Sequence, residues 1–122
     1  MNRKIVMDLD NTLTLHDPSI AYSEMLPNIS VIQQLRRYSA EGYEIIIFTA
    51  RGMKSYNEDI QAIREHRLPV ILSWLEKHSV PFDEVRIGKP YCGEKGFYVD
   101  DKAIRPDEFV NLSITEIQKL IT

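Results

Sequence analysis

Four short stretches carry side chains suited to phosphate or metal chemistry: Asp8-Leu9-Asp10, Thr49-Ala50-Arg51, Lys89 and Asp100-Asp101. Side chains in a strand repeat their direction every second residue, so Asp8 and Asp10, ending the apolar run Ile5-Val6-Met7, can aim at one cation or one phosphate. Carboxylates held that close repel each other by roughly several kcal/mol unless a cation or a proton offsets them. A metal site is therefore the first expectation. A calcium loop counted from Asp8 would need Gly at its sixth position and Glu at its twelfth, where Leu13 and Ser19 stand, so that reading fails.

The chemistry divides naturally among these groups. Magnesium is a hard ion that takes one or two carboxylates, a carbonyl and waters while touching substrate phosphate. Asp8 and one of Asp100 and Asp101 are expected to supply side chains, and Asp10 its backbone carbonyl. Lys89 offsets the repulsion between an aspartate nucleophile and a dianionic phosphate, and Thr49 donates to a phosphoryl oxygen. Asp8 would attack in line to form an aspartyl-phosphate; Asp10 would protonate the leaving alcohol and then deprotonate water. Such an acid or base contributes about 10² to 10⁴ in rate, so losing Asp10 is expected to cripple turnover without unfolding the chain. Arg51 is open to two readings, a contact to a phosphate or sugar oxygen or a surface ion pair.

Elements able to position these groups follow from apolar bursts alternating with helix-like stretches. Strands are predicted over residues 4–8, 44–49, 84–87 and 96–99, with a short fifth over 110–112. Asn28 caps a helix whose apolar face holds Ile29, Ile32 and Leu35, and Gly42 sits at its C-terminus. A helix start is expected at Asn57-Glu58-Asp59, and Pro69 opens another helix that buries Ile71, Leu72, Leu75 and Trp74. Ser113 and Glu116 form a capping box for a last helix with Ile117, Leu120 and Ile121 inward. The alternation predicts a Rossmann-like α/β fold, three-layer αβα, with a mainly parallel sheet of about five strands. Ligands in that class bind at the carboxyl ends of the strands, where all four stretches fall.

With 122 residues, 43% of them hydrophobic, the expectation is one domain, residues 1–122, around one core. The apolar runs are too short for the roughly twenty residues that cross a bilayer, and the charged start lacks a signal pattern, so a cytoplasmic protein without membrane contact is expected. A single cysteine, Cys92, rules out an internal disulfide and a multi-cysteine metal cluster. The formal charge of -3 argues against non-specific nucleic-acid binding, which rests on basic fields. His16, His66 and His78 lack paired ligand spacing, although His16 lies in the loop beside the site.

Asp8-Leu9-Asp10-Asn11-Thr12, Ile45-Ile46-Ile47-Phe48-Thr49, Lys89 and Val99-Asp100-Asp101 resemble, in order and spacing, the four motifs of the haloacid dehalogenase superfamily. The resemblance spans nearly the whole chain. It implies nucleophile Asp8, acid/base Asp10, and Thr49 and Lys89 as the other catalytic groups. It further implies substrate contacts at Thr12, Ala50, Arg51 and Lys89, and Mg²⁺ on Asp8, Asp10, Asp100 and Asp101. The string from Gly88 to Gly93, with Phe97 to Phe109, is also similar to small bacterial members named for capsular polysaccharide biosynthesis. This implies a small phosphorylated substrate, such as a sugar phosphate. Where many relatives carry Gly before the motif-four aspartate this chain has Asp100, which favours Asp101 as the ligand. The inserts after the first two motifs are short, so no cap domain is expected; capless relatives either act on large substrates or borrow a neighbouring subunit as a lid, and a homo-oligomer, a dimer or tetramer, that covers the site is the expectation.

Rival functions separate on the same residues. A phosphorelay receiver would carry its phosphoaccepting aspartate on the third strand, whereas the best nucleophile here is on the first. Polynucleotide end-processing is disfavoured by few basic clusters. A non-catalytic phosphate or sugar-phosphate binding subunit is the main alternative, although all the catalytic residue types are present.

Overall fold

A computed structural model describes residues 3–122, which form two compact units, one up to Tyr91 and the other Cys92–Thr122. In the first unit, strands β1 (Lys4–Met7), β4 (Glu44–Thr49) and β5 (Glu84–Ile87) make a parallel sheet in the order β1-β4-β5. Two-residue strands β2 (Thr14–Leu15) and β3 (Leu26–Pro27) pair antiparallel in the intervening loop. Helix α1 (Ile29–Ala40) connects β1 to β4, and helices α2 (Ile60–His66) and α3 (Leu68–Lys77) connect β4 to β5. Parallel neighbours need such crossovers, because a tight turn can join only antiparallel strands.

The central strand explains the order. Ile45, Ile46 and Ile47 are all buried, as expected of a parallel strand covered on both faces. Register pairs Met7 with Ile47 and Thr49 with Ile87, so the carboxyl ends of the three strands lie along one edge. Leu9, Leu13, Ile32, Leu35, Ile63 and Ile71 complete a core beneath that edge.

Trp74 is the largest fully buried side chain; its indole N–H donates to the Met25 carbonyl at 2.8 Å. His78 packs on its ring at 4.5 Å between centroids, and burial, with Lys77 adding to it, pushes that imidazole down from its ordinary value. Trp74→Ala is expected to lower the free energy of unfolding by about 3–5 kcal/mol, the usual penalty for emptying an aromatic site in a core. Urea denaturation checks it; a loss below about 1 kcal/mol would mean the core closes over the void.

Several predicted features hold in detail. Gly42 takes a left-handed conformation (φ 96°) just past α1, Pro69 lies in the first turn of α3, and Ser113 and Glu116 cap α5 (Ile114–Ile121) reciprocally. Others differ. Asn28 stands at the N-cap of α1 without a side-chain capping bond. The start of α2 moves from Asn57 to Asp59, whose carboxylate accepts from the Ala62 N–H, while Asn57 and Glu58 adopt left-handed conformations.

In the second unit the strand expected over 110–112 is replaced by α4 (Pro106–Asn111), which buries Phe109. Its start signals outweigh the apolar triplet: Pro106 occupies the first turn, Asp107 and Glu108 face the positive end of the dipole, and Glu108 accepts from the Arg105 N–H at 2.8 Å. Residues 96–99 form no strand, and Phe97, Tyr98 and Val99 are exposed. An apolar burst is a strand only when a neighbour completes its ladder. Leu120 on α5 is likewise exposed, leaving Ile117 as the buried anchor of that helix. The described sheet therefore has three parallel strands, not five. No helix among the described residues is long and apolar enough to cross a membrane.

Candidate active site at the carboxyl edge of the sheet

Past Met7 the chain turns sharply. The Leu9 carbonyl accepts from the N–H groups of Thr12, Leu13 and Thr14, and Asn11 takes a positive φ of 58° while its N–H donates to the Thr14 hydroxyl. Leu9 and Leu13 are anchored in the core on either side of this turn. Asp8 and Asp10 are thus pinned through their buried neighbours and stand half-exposed.

The two carboxylates have different partners. Asp8 accepts from the Thr12 hydroxyl at 3.0 Å and lies 3.6 Å from Lys89 Nζ. Lys89 follows Gly88, whose φ of 89° suits glycine and turns the chain as β5 ends; the Lys89 N–H donates to the Thr49 carbonyl. Asp10 is held by Arg51 in a bidentate pair, Nε to Oδ2 at 3.1 Å and Nη2 to Oδ1 at 2.7 Å. The Arg51 side chain is only 1% exposed, against 29% for Asp10. Thr49 is buried, and its hydroxyl accepts from the Arg51 N–H at 3.0 Å, fixing the turn after β4. Ala50 accepts from the Met53 N–H in the same turn.

Arg51 is therefore an ion-pair partner, and a buried one. Its guanidinium lies 4.1 Å over the Tyr22 ring, and Arg67 approaches both Tyr22 (5.6 Å) and Tyr56 (5.2 Å). Among the described residues Arg51 Nη1 is buried with no hydrogen-bond partner. The stack ties the loop after β1 to the loop after β4 from behind Asp10. Tyr22, Tyr56 and Arg67 escaped sequence reasoning, because stacking across loops leaves no spacing to read. The one available signal was the presence of two tyrosines in otherwise polar loops.

The site thus gathers Asp8, Asp10, Thr12, Thr49, Ala50, Arg51 and Lys89 from three strand ends and their turns. Asp100 and Asp101 belong to the second unit, where both are exposed and Asp100 accepts from the Lys102 N–H at 2.8 Å. Among the described residues no three His, Cys, Asp or Glu side chains gather in a group that could hold a metal ion. Donor chemistry in the first unit nonetheless suits a hard cation. Asp8 offers a half-exposed carboxylate; the Asp10 charge is already matched by Arg51, and the described hydrogen bonds of the turn end on the Leu9 carbonyl, not on that of Asp10.

Fold and site together define a mixed α/β protein whose parallel sheet presents a carboxylate, lysine and threonine edge. The chain matches the crystal structure of a Vibrio cholerae target protein, one that carries no functional name, at 48% identity and a TM-score of 0.95. The match covers 98% of this chain and 96% of that one, so the chain belongs to the same family as the Vibrio protein. No family model and no curated protein matches it.

Proposed function

We propose that this protein is a magnesium-dependent phosphomonoesterase of the haloacid dehalogenase type, acting through an aspartyl-phosphate on a small phosphorylated metabolite such as a sugar phosphate. What carries the reading is Asp8, a half-exposed carboxylate at the end of the first strand, with Lys89 Nζ at 3.6 Å and Asp10 two residues on. Lys89 and the phosphate-facing donors lower the barrier that repulsion sets between Asp8 and an incoming dianion. An Asp8 oxygen bonds to phosphorus as the ester P–O bond breaks, and Asp10 gives its proton to the departing alkoxide. Water then attacks phosphorus, returns a proton to Asp10 and frees Asp8 with inorganic phosphate. Arg51 engages both Asp10 oxygens, one contact each, and leaves further lone-pair sites on them; to act as the acid, Asp10 must carry a proton when the ester bond breaks.

Asp8 and the Asp10 carbonyl would hold Mg²⁺, which when bound would supply charge neutralisation at the phosphate; Asp100 and Asp101 are the further ligands that the resemblance implies.

The test is phosphate release from a panel of sugar phosphates, nucleotides and 4-nitrophenyl phosphate, with Mg²⁺ or with EDTA. Release that requires the metal is expected, and Lys89→Met is expected to lower kcat by about 10² to 10³, the usual effect of removing one charge-stabilising donor. Metal-independent release, or a Lys89→Met variant with wild-type kcat, would overturn the mechanism. No release at all would favour a phosphate-binding subunit without turnover.

A further inference from the structure

Asp10 owes its orientation to Arg51, and Arg51 owes its own to few contacts. A guanidinium has donors on each of its nitrogens, and hydrogen bonds to all of them would fix its plane completely. Here Nε and Nη2 are taken by Asp10 at 3.1 and 2.7 Å, while among the described residues Nη1 is buried without a partner. The fork therefore fixes one edge of the plane and leaves tilting about that edge open. What opposes the tilt is the face of Tyr22, whose ring centroid lies 4.1 Å from the guanidinium carbon. A ring attracts a cation most strongly where water is excluded, and the Arg51 side chain is 1% exposed.

The ring is itself held in place. Tyr22 opens a single turn of 3₁₀ helix, Tyr22–Glu24; the next residue, Met25, is buried, and its carbonyl accepts from the Trp74 indole at 2.8 Å. From the crossover after β4, Arg67 approaches the Tyr22 ring at 5.6 Å and the Tyr56 ring at 5.2 Å. Gly52 seats Arg67. At a φ of 88°, a Cβ on this glycine would come within 3.0 Å of Ile63 Cγ1 and 3.4 Å of Arg67 Cγ, so its bare backbone lets the Arg67 stem lie against the turn that carries Arg51. Contacts thus run from the core to Tyr22, from Tyr22 to Arg51 and from Arg51 to Asp10.

We infer that Tyr22 is a positioning residue for the acid step: through Arg51 it aims the Asp10 carboxyl at the leaving oxygen. The inference rests on the phosphomonoesterase reading of the edge. Displacing a catalytic group by about 1 Å can cost about 10² in rate, and the loss falls on the step that needs the group. Protonation of the leaving group matters for an alkyl ester, whose alkoxide is a strong base, and little for 4-nitrophenyl phosphate, whose phenolate is stable. For both esters kcat/KM stops at departure of the leaving group, before water attacks the aspartyl-phosphate.

The test measures kcat/KM for 4-nitrophenyl phosphate and for the fastest alkyl ester among glucose 6-phosphate, ribose 5-phosphate and glycerol 3-phosphate. In Tyr22→Leu and Tyr22→Met the alkyl value is expected to fall about 10- to 100-fold, with the nitrophenyl value changed by less than about threefold. Tyr22→Phe keeps the ring face and is expected to match wild type on both. Partial unfolding lowers both esters alike and leaves their ratio unchanged. Equal losses on the two esters, or a loss in Tyr22→Phe as large as in Tyr22→Leu, would overturn the positioning role and leave the phosphatase standing. Wild type that cleaves no alkyl ester would remove the acid step itself, and the positioning role with it.

Discussion

Asp10→Ala is expected to lower the free energy of unfolding by about 3–5 kcal/mol, the penalty for leaving one member of a buried ion pair unmatched. The reason lies with its partner. Arg51 is 1% exposed and cannot shed its proton, so without Asp10 a full positive charge stays in the interior. The Tyr22 face at 4.1 Å, worth about 2 kcal/mol where a cation is desolvated, offsets only part of that charge's cost. Since domains of this size are stable by about 5–15 kcal/mol in all, the loss is a large fraction of the whole. Arg51→Met should be milder, because Asp10 is 29% exposed and water can take over its charge. The double variant should regain much of the loss, as replacing both members of a buried pair with apolar groups often does. Urea unfolding of the four proteins gives the cycle; an Asp10→Ala variant within about 1 kcal/mol of wild type would mean that water reaches the guanidinium.

The expectation from the sequence, that losing Asp10 cripples turnover without unfolding the chain, gains a stability cost from the buried partner. The difference shows which features a one-dimensional reading reaches. Ile45-Ile46-Ile47 declares a doubly covered strand by composition, Gly42 and Pro69 mark helix ends by backbone chemistry, and Asp8-x-Asp10 marks a candidate site just past a strand end by its paired acids. Each signal is local. The Asp10–Arg51 pair spans 41 residues and its geometry depends on how two turns meet, so only the type of Arg51 was legible, not its depth. Tyr22 beneath Arg51 is of the same kind. At residues 96–99 and 110–112 the local signals themselves competed: apolar bursts suggested strands, but the described residues give the first no ladder, and Pro106 with Glu108 starts a helix through the second. At Asn57-Glu58 a good helix-start composition lost to a left-handed turn.

Asp8 should behave in the opposite way to Asp10. Asp8→Asn is expected to lower metal-dependent phosphate release by about 10⁴-fold or more, the scale on which removing a nucleophile acts. Its stability should stay within about 1 kcal/mol of wild type. The carboxylate is 39% exposed, its contact with Lys89 is a long 3.6 Å, and the Asn amide oxygen can still accept from the Thr12 hydroxyl. Repulsion from Asp10 also disappears with the charge. Acid-quenched wild type should carry phosphate on Asp8 by peptide mass mapping, and the variant none. Asp8→Asn that retains turnover, or phosphate found on another residue, would move the nucleophile elsewhere. A variant that unfolds would instead place Asp8 with Asp10 among the groups that hold the edge together. Two aspartates on one strand end, two residues apart, are thus expected to separate by their partners: the one facing a half-exposed lysine governs chemistry, and the one facing a buried arginine governs both chemistry and fold.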